Sequence, residues 1–185
     1  MTEFSDALSH VKSEFETNNV QERTEFLKYF ASDRDFFSER MACAIVAWDT
    51  FDKDIKGNEQ KAYIVGLVGC AISLHIISMK LLLSGYSIPA GNLQRQVLET
   101  IALACLCSDK LLGILDRFIE DKYSTNKTID HVRKYASRLG INRNFLDVME
   151  KARKFYHDFS HPSLMTIVSL TSKNGIYLGS SLMNS

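Results

Sequence analysis

Breakers are scarce in this chain: 185 residues hold only two prolines and nine glycines, so little interrupts long regular elements. Its four cysteines, Cys43, Cys70, Cys105 and Cys107, form no CxxC pair and no evenly spaced framework, which excludes a disulfide scaffold and a Cys-type zinc module. They read as reduced core thiols of a cytosolic protein. The start, Met1-Thr-Glu-Phe-Ser-Asp, lacks the basic residues and apolar block of a secretory leader, so export is not expected. No glycine-rich phosphate loop is present; Gly66 and Gly69 fall inside an apolar run. Internal repeats, low-complexity tracts and dividing linkers are missing as well. Net charge is zero.

What remains is 45% hydrophobic and 24% charged, enough for one core in a single domain over 1–185. The fold class expected is all-α: a multi-helix bundle over 1–162 with central apolar helices, then a small C-terminal β-hairpin and tail over 163–185. Phe4, Leu8, Val11 and Phe15 recur at helical spacing, and Phe26 to Phe30 mark a short second helix. Ser32-Asp33 is placed to cap a third, which runs to about Lys53 before Gly57. Asn58 then opens a long helix through Leu83, apolar almost all round and so expected at the buried centre rather than across a membrane. Gly85 stops it, and Ser87 with Pro89 starts a helix to about Cys107 that is wholly apolar after Glu99. Asp109 is expected to cap one helix through Tyr123, Thr128 or Asp130 to begin another ending at Gly140, and Asn142 to open the last long helix, closed by Pro162. Thr166-Ile-Val-Ser-Leu and Ile176-Tyr-Leu flank Asn174-Gly175, a hairpin signal.

Charge is uneven along this frame. Residues 1–60 carry 13 acids against 7 bases, and residues 122–154 carry 9 bases against 3 acids. The two segments are expected to face each other within the fold or across a homodimer, or to stay solvated. The alternative is that cations such as Lys122, Lys127 and Lys134 present a surface to RNA or another phosphate.

Two polar clusters stand out from the apolar background. Asn92, Arg95 and Glu99 share one face near the start of an otherwise greasy helix. A cation in the first turns opposes the helix dipole, so Arg95 is expected to answer an anionic ligand or a network with Glu99 and Asp158. The second cluster, Arg153, Tyr156, His157, Asp158, Ser160 and His161, closes the last long helix. A neutral imidazole there suits a general base, or the two rings cap free carbonyls. His157-Asp-Phe-Ser-His161 has the outline of a zinc helix, but Asp is short for the Glu role and Pro162 turns His161 out of phase. No metal and no cofactor are expected. His75, inside the apolar helix, reads as a core histidine. The two clusters are expected to meet in one polar pocket between central helices.

Gly85-Tyr-Ser-Ile-Pro-Ala-Gly91-Asn-Leu-Gln-Arg95-Gln-Val-Leu-Glu99, followed by Tyr156-His-Asp-Phe-Ser160-His161-Pro162-Ser163, resembles a group of uncharacterised bacterial helical proteins. In that group an R-x-x-x-E helix faces a late S-H-P turn and a hairpin. More distantly the chain is similar to the HEPN superfamily, whose active members are metal-independent ribonucleases, often dimeric toxins or phage-defence effectors. Their hallmark is an arginine, four to six residues, then a histidine; here three residues separate Arg153 from His157 and seven separate it from His161. What the resemblance implies is a bacterial, cytoplasmic, dimeric protein. It binds an anionic or polar ligand or a partner, with a defence- or stress-related role. Ribonuclease chemistry, with Arg153 on phosphate charge and His157 or His161 moving the ribose proton, is the alternative, and a purely structural oligomerisation role is another.

Overall fold

The long apolar segments fold as helices, as their spacing dictates, in a computed structural model that describes residues 3–16, 20–160, 163–169, 171–172, 175–178 and 181–184. The fold is all-α. In chain order the helices are α1 (Glu3–Glu16), α2 (Val20–Tyr29), α3 (Ala31–Lys53), α4 (Glu59–Leu82), α5 (Ser87–Cys107), α6 (Ile114–Ile119), α7 (Thr128–Tyr135), α8 (Arg143–Ser160) and α9 (Leu164–Ser169).

Several boundaries follow from local chemistry. Asn58 accepts the Lys61 amide at 3.0 Å and starts α4, and Asn142 accepts the Phe145 amide at 2.8 Å ahead of α8. Gly85 and Gly140 adopt φ of 85° and 66° after their helices, a region closed to most side chains. Other starts differ from expectation. Phe30 precedes α3 without a side-chain cap, and Asp33 merely adds negative charge to the first turn; Tyr86, not Ser87, precedes α5. Asp109 caps only a 3₁₀ turn over Lys110–Leu112, because Gly113 at φ 59° breaks the run before α6.

The centre of the fold is α5. Its second half is buried at Ala102, Leu103, Ala104, Leu106 and Cys107, and it packs against α4, α6, α7, α8 and α9. Ile114, Ile129, Val132 and Met149 complete that core. Burying one such aliphatic side chain contributes about 1.5–3 kcal/mol, so this layer carries most of the stability. Two polar ties align α4 on α5: the buried Ser78 hydroxyl donates to the Ala90 carbonyl at 2.8 Å, and the Gln60 amide donates to the Cys107 carbonyl at 2.7 Å.

The expectation for α4 fails. Its sequence is apolar all round, yet only Val65, Ala71 and Ser78 are buried, and Tyr63, Ile76 and Ile77 face outward. Two neighbours, α3 and α5, do not encircle it. On its other flank α3 lies loosely, with no buried residue, although Trp48 donates its indole N–H to the Val65 carbonyl at 3.0 Å. Cys43 and Cys70 are consequently exposed, and only Cys105 and Cys107 meet the core expectation, burial raising the Cys107 thiol to about 11. Thr166-Ile-Val-Ser, whose β-branched run predicts a strand, is helical in α9. There the Ser163 hydroxyl accepts the Thr166 amide at 3.1 Å, a cap that outweighs β-branched preference. Beyond α9, extended segments Thr171–Ser172, Gly175–Leu178 and Ser181–Asn184 run antiparallel, with Thr171 opposite Ile176 and Ile176 opposite Met183. The turn positions Lys173 and Asn174 lie outside the described residues.

Candidate functional site

The two polar clusters lie on helices that pack together, α5 and α8. Their crossing is tight. A side-chain carbon added to Gly91 would fall 2.6 Å from Phe159 Cγ, so glycine is what lets the α8 end seat on the α5 start. One turn further along α5, Arg95 Nε donates to Glu99 Oε1 at 3.0 Å, with both side chains about four-fifths covered, at 24% and 19% exposure. The expected pairing with Glu99 is therefore made inside α5 itself. Asn92 is half-buried beside it.

On α8, Tyr156 is half-buried, and burial holds its phenol above the ordinary value. Its ring joins Phe155 and Phe159, at 5.1 and 6.4 Å between centroids. His157 and Asp158 face solvent. The Asp158 carbonyl accepts the Ser163 and Thr166 hydroxyls, which help close this end of α8. Ser160 is the last residue of α8; His161 and Pro162 lie outside the described residues.

Arg153 points to a different neighbour. Its guanidinium donates to Asp130 Oδ1 on α7 and to Glu150 Oε1, both at 3.0 Å, and clips α7 to α8. The bond from Arg153 holds the Glu150 carboxyl below its usual range, helped by the charge of Arg133 and Lys154. Among the described residues no three His, Cys, Asp or Glu side chains are placed to share a metal ion.

Concave space lies elsewhere. A cleft of about 400 Å³ opens between α6, the turn after it and α7, lined by Arg117, Lys122, Tyr123, Ser124, Lys127, His131, Lys134 and Tyr135 over the apolar floor of Leu112 and Ile114. Among the described residues no carboxylate lines it. The buried Tyr123 hydroxyl is 2.8 Å from His131 Nδ1. Burial raises that phenol to about 12, with the Arg117 cation opposing, so it keeps its proton. When it donates to Nδ1, the neutral imidazole carries its own proton on Nε2. Arg117 stands over the Tyr123 ring at 5.4 Å and Lys134 over the Tyr135 ring at 5.2 Å.

The sequence marked Lys122, Lys127 and Lys134 as a cationic stretch but not Arg117, Tyr123, His131 or Tyr135 as their companions. The readable signal was the interleaving of Tyr123, His131 and Tyr135 with those cations over one short segment.

Fold and sites thus define an all-α protein with a central apolar helix, a polar pair where α5 and α8 pack, and a basic cleft at α6–α7. No protein-family model, curated protein or solved structure matches the chain.

Proposed function

We propose that this is a helical binding protein acting as a homodimer, two copies joined along the outer face of α4. In this reading the close approach of Gly91 and Phe159 seats α8 on α5, and the Arg95–Glu99 pair beside it is structural and not a catalytic centre. The observation that carries the reading is the mismatch on α4, an apolar helix that its own chain leaves largely uncovered, with 17% of its most apolar stretch buried.

The uncovered face is patterned for a helix. Ala62, Gly66, Cys70, Ser73 and Ile77 recur at three- and four-residue spacing, all exposed, and a side chain added at Gly66 would meet nothing within 4 Å. Small residues in such a row let a second backbone approach closely. A groove of about 360 Å³ between Ala62, Tyr63, Gly66, Leu67 and Phe118 continues it. Phe36, Ile45, Val46 and Phe51 on α3, with Tyr63, Ile76 and Ile77, are each at least 36% exposed. Those on α3 are spread round that helix, since Phe36 and Ile45 stand half a revolution apart, so the α4 row is the contiguous part of this apolar surface. A second copy presents the same small-residue row, and two-fold pairing needs nothing the chain lacks. Lipid is a poorer cover. Five carboxylates on α3, at Asp33, Asp35, Glu39, Asp49 and Asp52, would be drawn in beside α4.

The ribonuclease alternative needs Arg153 for phosphate charge, and that guanidinium is already divided between Asp130 and Glu150. The deciding experiment is light scattering across a concentration series with wild type, Gly66→Arg and Ile77→Arg. Wild type should have twice the chain mass and both variants the mass of one chain, with helicity kept. A monomeric wild type, or uptake of the protein into lipid vesicles, would refute the dimer. Chelator-resistant cleavage of total RNA that His157→Ala abolishes would move the reading to an enzyme.

A further inference from the structure

We infer that the α6–α7 cleft is a binding site for the phosphate groups of a small phosphorylated or polyphosphate ligand, with Arg117, Lys127 and Lys134 supplying the charge. The inference is separate from the dimer and survives its failure.

Pairing is the first argument. Most cations of the neighbouring surface are neutralised by carboxylates: Arg138 by Asp109, Arg133 by Glu150, Arg153 by Asp130 and Glu150. In the cleft only Lys122 has such a partner, Glu120 at 2.8 Å; among the described residues none pairs with Arg117, Lys127 or Lys134. Three unopposed cations around one concavity repel one another, and the low-dielectric floor focuses their field, so a multiply charged anion relieves what the chain leaves unrelieved.

Donor geometry is the second. Two rings hold cations in place: Tyr123 lies under Arg117, and Tyr135 lies under Lys134. His131, fixed through Nδ1 by the Tyr123 hydroxyl, keeps Nε2 as its other hydrogen-bonding atom, and the Ser124 hydroxyl sits on the same wall. A guanidinium fork, two ammonium groups, an imidazole and a hydroxyl outnumber what one carboxylate can accept and suit the several oxygens of phosphate.

Size and surroundings separate a small ligand from a nucleic-acid strand. The cleft, at about 400 Å³, falls within the range of small-molecule sites. A strand needs a continuous cationic track and free aromatic faces; here the flanking arginines are engaged and both tyrosine rings carry a cation.

The test is calorimetric titration of the full chain with inorganic pyrophosphate at about 0.15 M salt, where loose surface attraction is screened. Lys127→Gln/Lys134→Gln and Arg117→Gln are compared with wild type, and Lys151→Gln on α8 serves as a control for general charge. All four positions are exposed, and equal melting temperatures verify folding. Saturable binding of one pyrophosphate per chain is expected, weakened about tenfold or more in the first two variants and unchanged in Lys151→Gln. Absence of saturable binding, or equal weakening by Lys151→Gln, would overturn the site. A single-stranded RNA of about 12 nucleotides that displaces pyrophosphate and loses affinity in the same variants would overturn the small-ligand assignment in favour of a strand.

Discussion

The α5–α8 crossing is the most exposed point of the structural argument, and Gly91→Ala tests it with a magnitude set by two opposed effects. Alanine inside a helix is favoured over glycine by about 0.8–1 kcal/mol. Against this, the new carbon would lie 2.6 Å from Phe159 Cγ and 2.7 Å from its Cβ, where carbon contacts relax at about 3.5–4.0 Å. Turning the Phe159 ring moves Cγ very little and Cβ not at all, so α8 itself must retreat by about 1 Å. Overpacking of that kind costs about 1–3 kcal/mol, and the involvement of Cβ puts this case near the upper end. The net loss is about 2 kcal/mol, which lowers the melting temperature of a domain this size by about 4–8 °C. Gly66→Ala is the matched control: nothing lies within 4 Å, so at concentrations low enough to separate any copies it should raise stability by up to about 1 kcal/mol. Calorimetric melts of the two variants decide the sign. In a Phe159→Ala background the Gly91→Ala loss should shrink by about 1 kcal/mol or more, because two of the three offending atoms are gone. Equal or raised stability in Gly91→Ala, or strict additivity in the double variant, would refute the close crossing of α5 and α8.

Stability should fall with acid in two stages. Burial between α3 and α4, edge-on to Phe37 at 4.9 Å, holds the His75 pKa below 6.5, so the unfolded chain gains a proton that the native state refuses. Stability is therefore full above pH 6.5 and starts to fall below it, and His75→Gln should flatten that first stage in urea titrations. Asp109 beside Arg138 and Glu150 beside Arg153 are held below 3.8 and 4.5, so their contribution persists at pH 5 and is lost as pH falls through their depressed values. Glu150→Gln should lower the urea midpoint at pH 7 and soften only this second stage. The single tryptophan, Trp48, reports on α3 alone; α3 has no buried residue, so its emission should shift to the red at lower urea than the main loss of helical circular dichroism. Coincident transitions would mean that α3 belongs to the cooperative core.

What could be read from the sequence was whatever is decided within a few residues. Asn58 and Asn142 cap because the acceptor and the amide it meets are three positions apart, and Gly85 and Gly140 stop helices because they alone tolerate the turn. The centrality of α5 followed from its apolar second half. An apolar circumference on α4 announced burial but could not say by what, and among the described residues α3 and α5 make its main contacts. Gly113 looked like one glycine in a helix until its backbone turned left-handed. The cleft was hidden for a different reason. Arg138 finds Asp109 across 29 positions and Arg153 finds Asp130 across 23, so the cations that stay unopposed emerge only after long-range pairing has claimed the rest. The polar clusters were legible as composition, and their division of labour was not: Arg95 turns to Glu99 and Arg153 to α7.

The short helix α6 makes the two proposed surfaces mechanically related. Phe118 enters the apolar groove beside Gly66, while Ile114 and Arg117, one turn and one residue earlier, form the floor and wall of the basic cleft. A helix of six residues held between a 3₁₀ turn and a left-handed Asp121 has few internal bonds, so its position is set by what it packs against on either side. A phosphate that draws Arg117 inward acts on the same rigid segment that carries Phe118. A second copy seated over Gly66 acts on it through Phe118. If α6 moves, linkage requires each occupant to change the other's affinity by the same factor, whichever direction the motion takes. That reciprocity separates a shared helix from two surfaces that merely sit on one fold.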